Sequence, residues 1–265
     1  MKKIYLPVLL ALAACGGNTK APVPAADTAQ KDIPATPAAQ PIAAKGNTTC
    51  WMGHLNGNVP VLLYYNQYNN DVIAGEIVYL DTKARQPIRV LGMKDEDGSL
   101  RLLEFEPGGN ISGIISGKPE ATGFTGDWFS PKTRKSLKME LAAKDTTLNA
   151  PLMDADMEQV YGHYHYAYGA DGQEGDVEIT RVGEGKIAFN IFSVTDAPAR
   201  NIADVATDTV TLQGNQFTYV IQGSDNCGFT MRFYRNCIKV DYTNGYCNGW
   251  FGHNATVDGI FIKTR

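Results

Sequence analysis

From Cys50 onward the chain never sustains the apolar period of about 3.6 residues that a helix needs to bury one face. In its place stand short β-branched and aromatic runs, interrupted by Gly, Asn and Asp roughly every eight to twelve residues. That is the rhythm of a sandwich or barrel of antiparallel strands. Val61, Leu63 and Tyr65 fall on one face of a strand, and Ile73, Ile77 and Tyr79 on one face of the next. Leu137, Met139 and Leu141 alternate with Ser136, Lys138 and Glu140. Further runs at 88–91, 100–106, 111–116 and 123–129 bring the count to about eight strands in about ninety residues.

Residues 143–158 lack this alternation, hold Pro151 and the acidic Asp154, Asp156 and Glu158, and read as a linker. A second strand series follows at 161–168, 177–182, 187–194, 209–213, 217–222, 229–234, 238–242 and 259–263. The fold class is therefore all-β: two small antiparallel meander barrels, lipocalin-like in architecture, over 50–142 and 159–265. Both series open alike, with Trp51-Met52-Gly53-His54 against Val160-Tyr161-Gly162-His163, which suggests a divergent tandem duplication.

The N-terminus has a different chemistry. Lys2 and Lys3 precede an apolar run over 4–14, about half of the roughly 20 residues needed to span a bilayer. The run ends Leu12-Ala13-Ala14-Cys15, which resembles the lipobox of a bacterial lipoprotein signal. The resemblance implies cleavage after residue 14 and a membrane anchor of fatty acyl chains, palmitate among them, on Cys15. Losing the two lysines with the signal takes the net charge from −4 to −6. No aspartate follows Cys15, so nothing resembles the inner-membrane retention signal, and outer-membrane placement is expected. Residues 15–49 contain no aromatic residue and are punctuated by Pro22, Pro24, Pro34, Pro37 and Pro41. They read as a disordered stalk able to extend on the order of 100 Å. Within it, Asp27-Thr28-Ala29 resembles a short O-glycosylation acceptor of bacterial envelope proteins.

The first series, through Gly53, the 59–64 strand, Ala74-Gly75-Glu76-Ile77, Leu91-Gly92, Leu103-Glu104 and the 123–128 run, resembles uncharacterised bacterial envelope-protein domains. So does the second, through Cys227–Phe233, the Cys247-Asn248-Gly249-Trp250-Phe251-Gly252 segment and Asp258-Gly259. The resemblance implies fold more than activity.

With Cys15 set aside as the anchor, four of the five cysteines remain, and in an exported chain they are expected to pair. Four allow three connectivities. A hairpin turning at Arg235-Asn236 puts Cys227 opposite a residue near Asn244, within a loop's reach of Cys247, which leaves Cys50 with Cys237. His163 and His165 lie two apart on one strand, hence on one face, where a third ligand such as His253 or a carboxylate would complete a metal site. Otherwise the strand is a Tyr/His-rich surface without a ligand. No cofactor is expected.

Tyr64, Tyr65 and Tyr68, set among Asn66, Asn69 and Asn70, together with Tyr164 and Tyr166, have the composition of a glycan- or protein-binding surface, though equally of core tyrosine and turn asparagine. Glu104 and Glu106 share a strand face, as a carboxylate pair for glycoside hydrolysis would; a solvated face is the competing reading. Lys132, Arg134, Lys135 and Lys138 cluster in one hairpin, where they could touch anionic lipid, whereas nucleic acid would need a broader basic face. No nucleophile elbow, P-loop or His-Glu-x-x-His pattern occurs.

These features favour a non-enzymatic envelope lipoprotein whose two modules bind a protein, glycan or lipid. Lysozyme inhibitors, which include small eight-stranded barrels on lipoproteins, are similar in architecture. The Ser-Gly-x-x-Tyr pattern of one such family is missing, since Ser112-Gly113 runs on to Ile114, Ile115 and Ser116. The competing expectations are a metal-assisted or carboxylate hydrolase of envelope material and a structural lipoprotein docking an envelope partner.

Overall fold

A computed structural model describes residues 48–68, 71–224, 226–245, 247 and 249–265. The expected signal peptide, Cys15, the stalk up to residue 47, Asn69 and Asn70 lie outside the described residues. Sixteen strands and no helix make up the described chain.

The first eight are β1 (Thr49–Leu55), β2 (Val59–Gln67), β3 (Val72–Tyr79), β4 (Ile88–Lys94), β5 (Leu100–Phe105), β6 (Ile111–Pro119), β7 (Gly123–Phe129) and β8 (Ser136–Ala143). Each pairs antiparallel with its successor, and β1 pairs with β8 from Trp51↔Ala143 to Leu55↔Met139, so the barrel closes. Strand alternation fixes what lies inside: Trp51, Leu55, Val61, Leu63, Tyr65, Ile73, Ile77, Val90, Leu102, Ile115, Phe124, Met139 and Leu141 form one buried cluster. The glycines of the sequence motifs face inward among them, where strands approach too closely for a side chain. A Cβ on Gly53 would stand 2.1 Å from the Glu140 carbonyl oxygen, and one on Gly92 1.9 Å from that of Arg101.

The second eight are β9 (Gly162–Ala167), β10 (Glu174–Gly183), β11 (Lys186–Val194), β12 (Ile202–Thr211), β13 (Gln216–Val220), β14 (Gly228–Tyr234), β15 (Cys237–Tyr242) and β16 (Gly259–Lys263). They run in the same cyclic order, β9 pairing with both β10 and β16. At this seam Gly162 plays the part of Gly53, its Cβ position lying 2.1 Å from the Arg265 carbonyl oxygen. The matching opening signatures therefore mark equivalent points, the seam where first and last strands meet. The barrel differs between its fourth and fifth strands. No ladder joins β12 to β13; Tyr219 instead donates its hydroxyl to Asp208 at 2.7 Å across the gap. Phe189, Phe217, Tyr219 and Phe229 fill the interior, with ring centroids 4.8–6.4 Å apart.

The linker behaves as a strap. Ala150 is buried against Cys50, Tyr64 and Val78 on the outer wall of the first barrel. Met153 is buried, and its carbonyl accepts from the Arg235 amide at 3.1 Å. Val72, Ala74, Leu91, Leu103, Phe105 and Ile111 point out of the first barrel into the same buried cluster as the core of the second. Arg89 donates to the Arg235 carbonyl at 2.8 Å, and the Ala167 amide to that of Gly109 at 3.1 Å. The two barrels thus share apolar surface that each would otherwise expose.

Candidate functional site

The four cysteines separate into one bond and two free thiols. Cys227 and Cys247 form a disulfide, with Cα atoms 4.9 Å apart. The ladder Phe229↔Tyr242 continues to the amide of Thr243 donating to Gly228, which brings Cys227 to the expected place. The expected Cys50–Cys237 bond is not formed. Cys50 is buried on the wall of the first barrel and Cys237 beneath Arg89 in the second, where burial pushes its thiol up to about 11.

His163 and His165 do share the outer face of β9, but both rings are occupied. His163 Nε2 and His165 Nδ1 each lie 2.8 Å from the same Asp176 Oδ1, and His163 Nδ1 lies 2.7 Å from Thr264 Oγ1. The hydrogen bond to Asp176 raises the pKa of His165. Against the burial that would raise it, the two histidines hold Asp176 below the usual carboxylate range. No group of three or more His, Cys, Asp or Glu is arranged to hold a metal among the described residues. The cluster ties β9, β10 and β16 together.

The tyrosines expected as a ligand surface are all buried. Tyr64 donates to Glu76 on the outer wall, and Tyr65 accepts from Trp51 inside the first barrel. Tyr68 reaches the Pro151 carbonyl at 3.1 Å, Tyr164 that of Val160 at 2.6 Å, and Tyr166 stacks edge-on to Phe261. Period-two placement of large rings in such small barrels drives them into the cores and the strap contacts, so they offer no surface.

What the sequence does not show is the role of Glu104. It does not share a solvated face with Glu106: Glu104 points into the first barrel and is 0% exposed, while Glu106 is exposed in the turn that follows β5. Leu103 and Phe105, on the opposite face, are covered by the second barrel. Tyr79 donates its hydroxyl to Glu104 Oε1 at 2.8 Å, and Trp128 its indole N–H to Oε2 at 2.6 Å. Gly113 makes the room, since a Cβ there would stand 1.9 Å from Oε2. Burial lifts the carboxyl above the ordinary glutamate range, against the two hydrogen bonds, and the neighbouring charge of Glu106 adds to the rise.

This carboxyl lies at the barrel end where β3, β5 and β7 finish. Val59, Tyr79, Ile88, Trp128 and Leu137 surround it there, each inward-facing yet only partly buried, so they form the mouth. The loops around this end, 56–58, 80–87, 106–110 and 130–135, carry Lys83, Arg85, Lys132, Arg134 and Lys135 against Asp81 and Glu106, five cations to two carboxylates. At the far end, the described residues of the loops between β2 and β3, β4 and β5, and β6 and β7 carry Asp71, Asp95, Glu96, Asp97 and Glu120 and no cation. The loops at the mouth thus carry an excess of cations and those at the far end an excess of carboxylates, with Lys94 and Lys118 on the strand ends beside the latter. The chain matches no known family model, no curated protein and no solved structure.

Proposed function

We propose that this protein is an envelope lipoprotein, anchored through acylated Cys15, that binds its ligand at the mouth of the first barrel and does not catalyse. The supporting observation is the Glu104 carboxyl, fully buried between Tyr79 and Trp128. Desolvating an ionisable group costs stability that an apolar residue would not, and barrel mouths are where such folds take ligands. A lone carboxyl held by two donors, with Glu106 outside in solvent, supports recognition better than paired acid–base chemistry.

The test is a photo-crosslinking amino acid at Ile88, in the mouth, of the full-length protein in intact cells. A discrete adduct is expected there and not with the same probe at Met52 on the outer wall; equal labelling or none at both positions would reject the mouth as the site. Cys15→Ser is expected to abolish palmitate incorporation and release the protein from the membrane fraction. A lysozyme-inhibitor role is dropped if the purified protein slows no lysozyme.

A further inference from the structure

Accepting the mouth as the binding site, we infer that its ligand is an acidic saccharide: a sugar ring seated on Tyr79 and Trp128, with a carboxylate or phosphate substituent reaching the basic rim. The floor and the rim make opposite demands. A buried carboxyl at the floor repels an anionic group, whereas the rim, with five cations to two carboxylates, attracts one. A free anion satisfies only the rim and an organic cation only the floor. A molecule with a neutral, hydroxyl-bearing body and a negative substituent satisfies both.

The floor also has the chemistry for a sugar ring. The faces of Tyr79 and Trp128 are apolar, are only partly covered, and lie beside Val59, Ile88 and Leu137. Because Tyr79 donates its proton to Glu104, its oxygen can only accept; the Trp128 indole already engages it, and its remaining lone pair accepts from a ligand hydroxyl. Glu104 is thus a positioning residue: it fixes the Tyr79 hydroxyl as an acceptor and holds the indole of Trp128 in register. Apart from Arg85, whose Nε donates to the Leu80 carbonyl at 3.1 Å, the rim residues are exposed lysines and arginines on the loops 80–87 and 130–135 and supply charge rather than a fixed contact.

The experiment follows the indole N–H resonance of Trp128, assigned with Trp128→Phe, in the full mature protein in detergent. It is titrated with N-acetylmuramic acid, N-acetylglucosamine 1-phosphate, uncharged N-acetylglucosamine and inorganic phosphate. Either acidic sugar is expected to shift the resonance at a concentration at least about tenfold below that needed with the neutral sugar or with phosphate, and added salt weakens this preference. The tighter of the two acids separates a peptidoglycan-type carboxylate from a lipopolysaccharide-type phosphate. Combined Lys132→Gln, Arg134→Gln and Lys135→Gln is expected to bring the acidic sugars down to the neutral one. Glu104→Gln, which lets the amide donate to Tyr79 and reverses its polarity, is expected to weaken acidic and neutral sugars alike. Phosphate binding as tightly as the sugar phosphate, or no shift with any sugar, overturns the inference. An adduct at Ile88 together with silent sugars would leave the mouth as the site and reject this ligand class alone.

Discussion

At Gly113 the first barrel has no room for a methyl group, because the Glu104 carboxyl and the Trp128 indole nitrogen lie 1.9 and 2.3 Å from where it would stand. Gly113→Ala is therefore expected to destabilise the protein by about 1–3 kcal/mol, the usual penalty of overpacking, read as a lower urea midpoint. His165 holds its proton more tightly in the folded chain, so its contribution is fully present below the unfolded value near 6.5 and lost as pH rises through the folded one. Asp176 contributes above its unfolded value near 3.8 and loses that as pH falls. The cluster thus supports the fold best between those two values. Asp176→Asn is expected to lower the pKa of His165 toward 6.5, followed by NMR titration of its ring protons; an unchanged His165 would show that the shift has another source.

Among the elements, strands with large apolar residues at alternate positions were legible, since inward-facing Val61, Leu63, Tyr65 or Leu137, Met139, Leu141 can be read from spacing alone. Two strands were less so. β1 is interrupted by Gly53 and His54, and only the end of β12 stands out, because its inward residues Ala203 and Val205 are small, a bulge then shifts the alternation so that the charged Asp208 faces inward opposite Phe189, and its outward residues are Asp204, Thr207 and Thr209. β12 is also a strand that lacks a ladder on one side, and the disulfide loop compensates: the Gly252 amide donates to the Ile202 carbonyl at 2.9 Å. Phe192 of β11, Ile202 of β12, Val220 of β13 and Trp250 of the disulfide loop are each at least 40% exposed. Paired Cys227→Ser and Cys247→Ser is expected to remove about 2–4 kcal/mol of stability. Hydrogen exchange at Gly252 is expected to accelerate more than exchange in β9–β11; a uniform change would mean the loop does not close this edge.

For the molecule as a whole, the two expected modules are two barrels that share one buried cluster, and the linker between them is packed down as a strap. Sequence alternation shows that Leu103 and Phe105 face away from the first core, but not that a second barrel covers them. Nor does a near-neutral balance reveal that the mouth loops hold an excess of cations and the far loops an excess of carboxylates, since that bias exists only once loops from distant parts of the chain gather. Phe105→Ala is expected to cost about 3–5 kcal/mol and to shift both barrels together, as reported by Trp128 in the first and Trp250 in the second. Separate transitions of which one moves would show that the barrels fold independently.

If Glu104 is kept for recognition at a cost to the fold, the unfolding free energy of the full chain against pH, for the natural protein and for Glu104→Gln, shows that cost. With its folded value raised by burial, Glu104 contributes no penalty below its unfolded value near 4.5. As pH rises, the unfolded chain releases the proton first, and the folded state loses stability until its own higher value is passed. The difference between the two proteins is expected to move in favour of Glu104→Gln as pH rises from 4 to 8, leaving the variant at least as stable at neutral pH. A natural protein that gains on the variant over that range, and is the more stable at neutral pH, would make Glu104 a structural hydrogen-bonding residue rather than one kept for recognition.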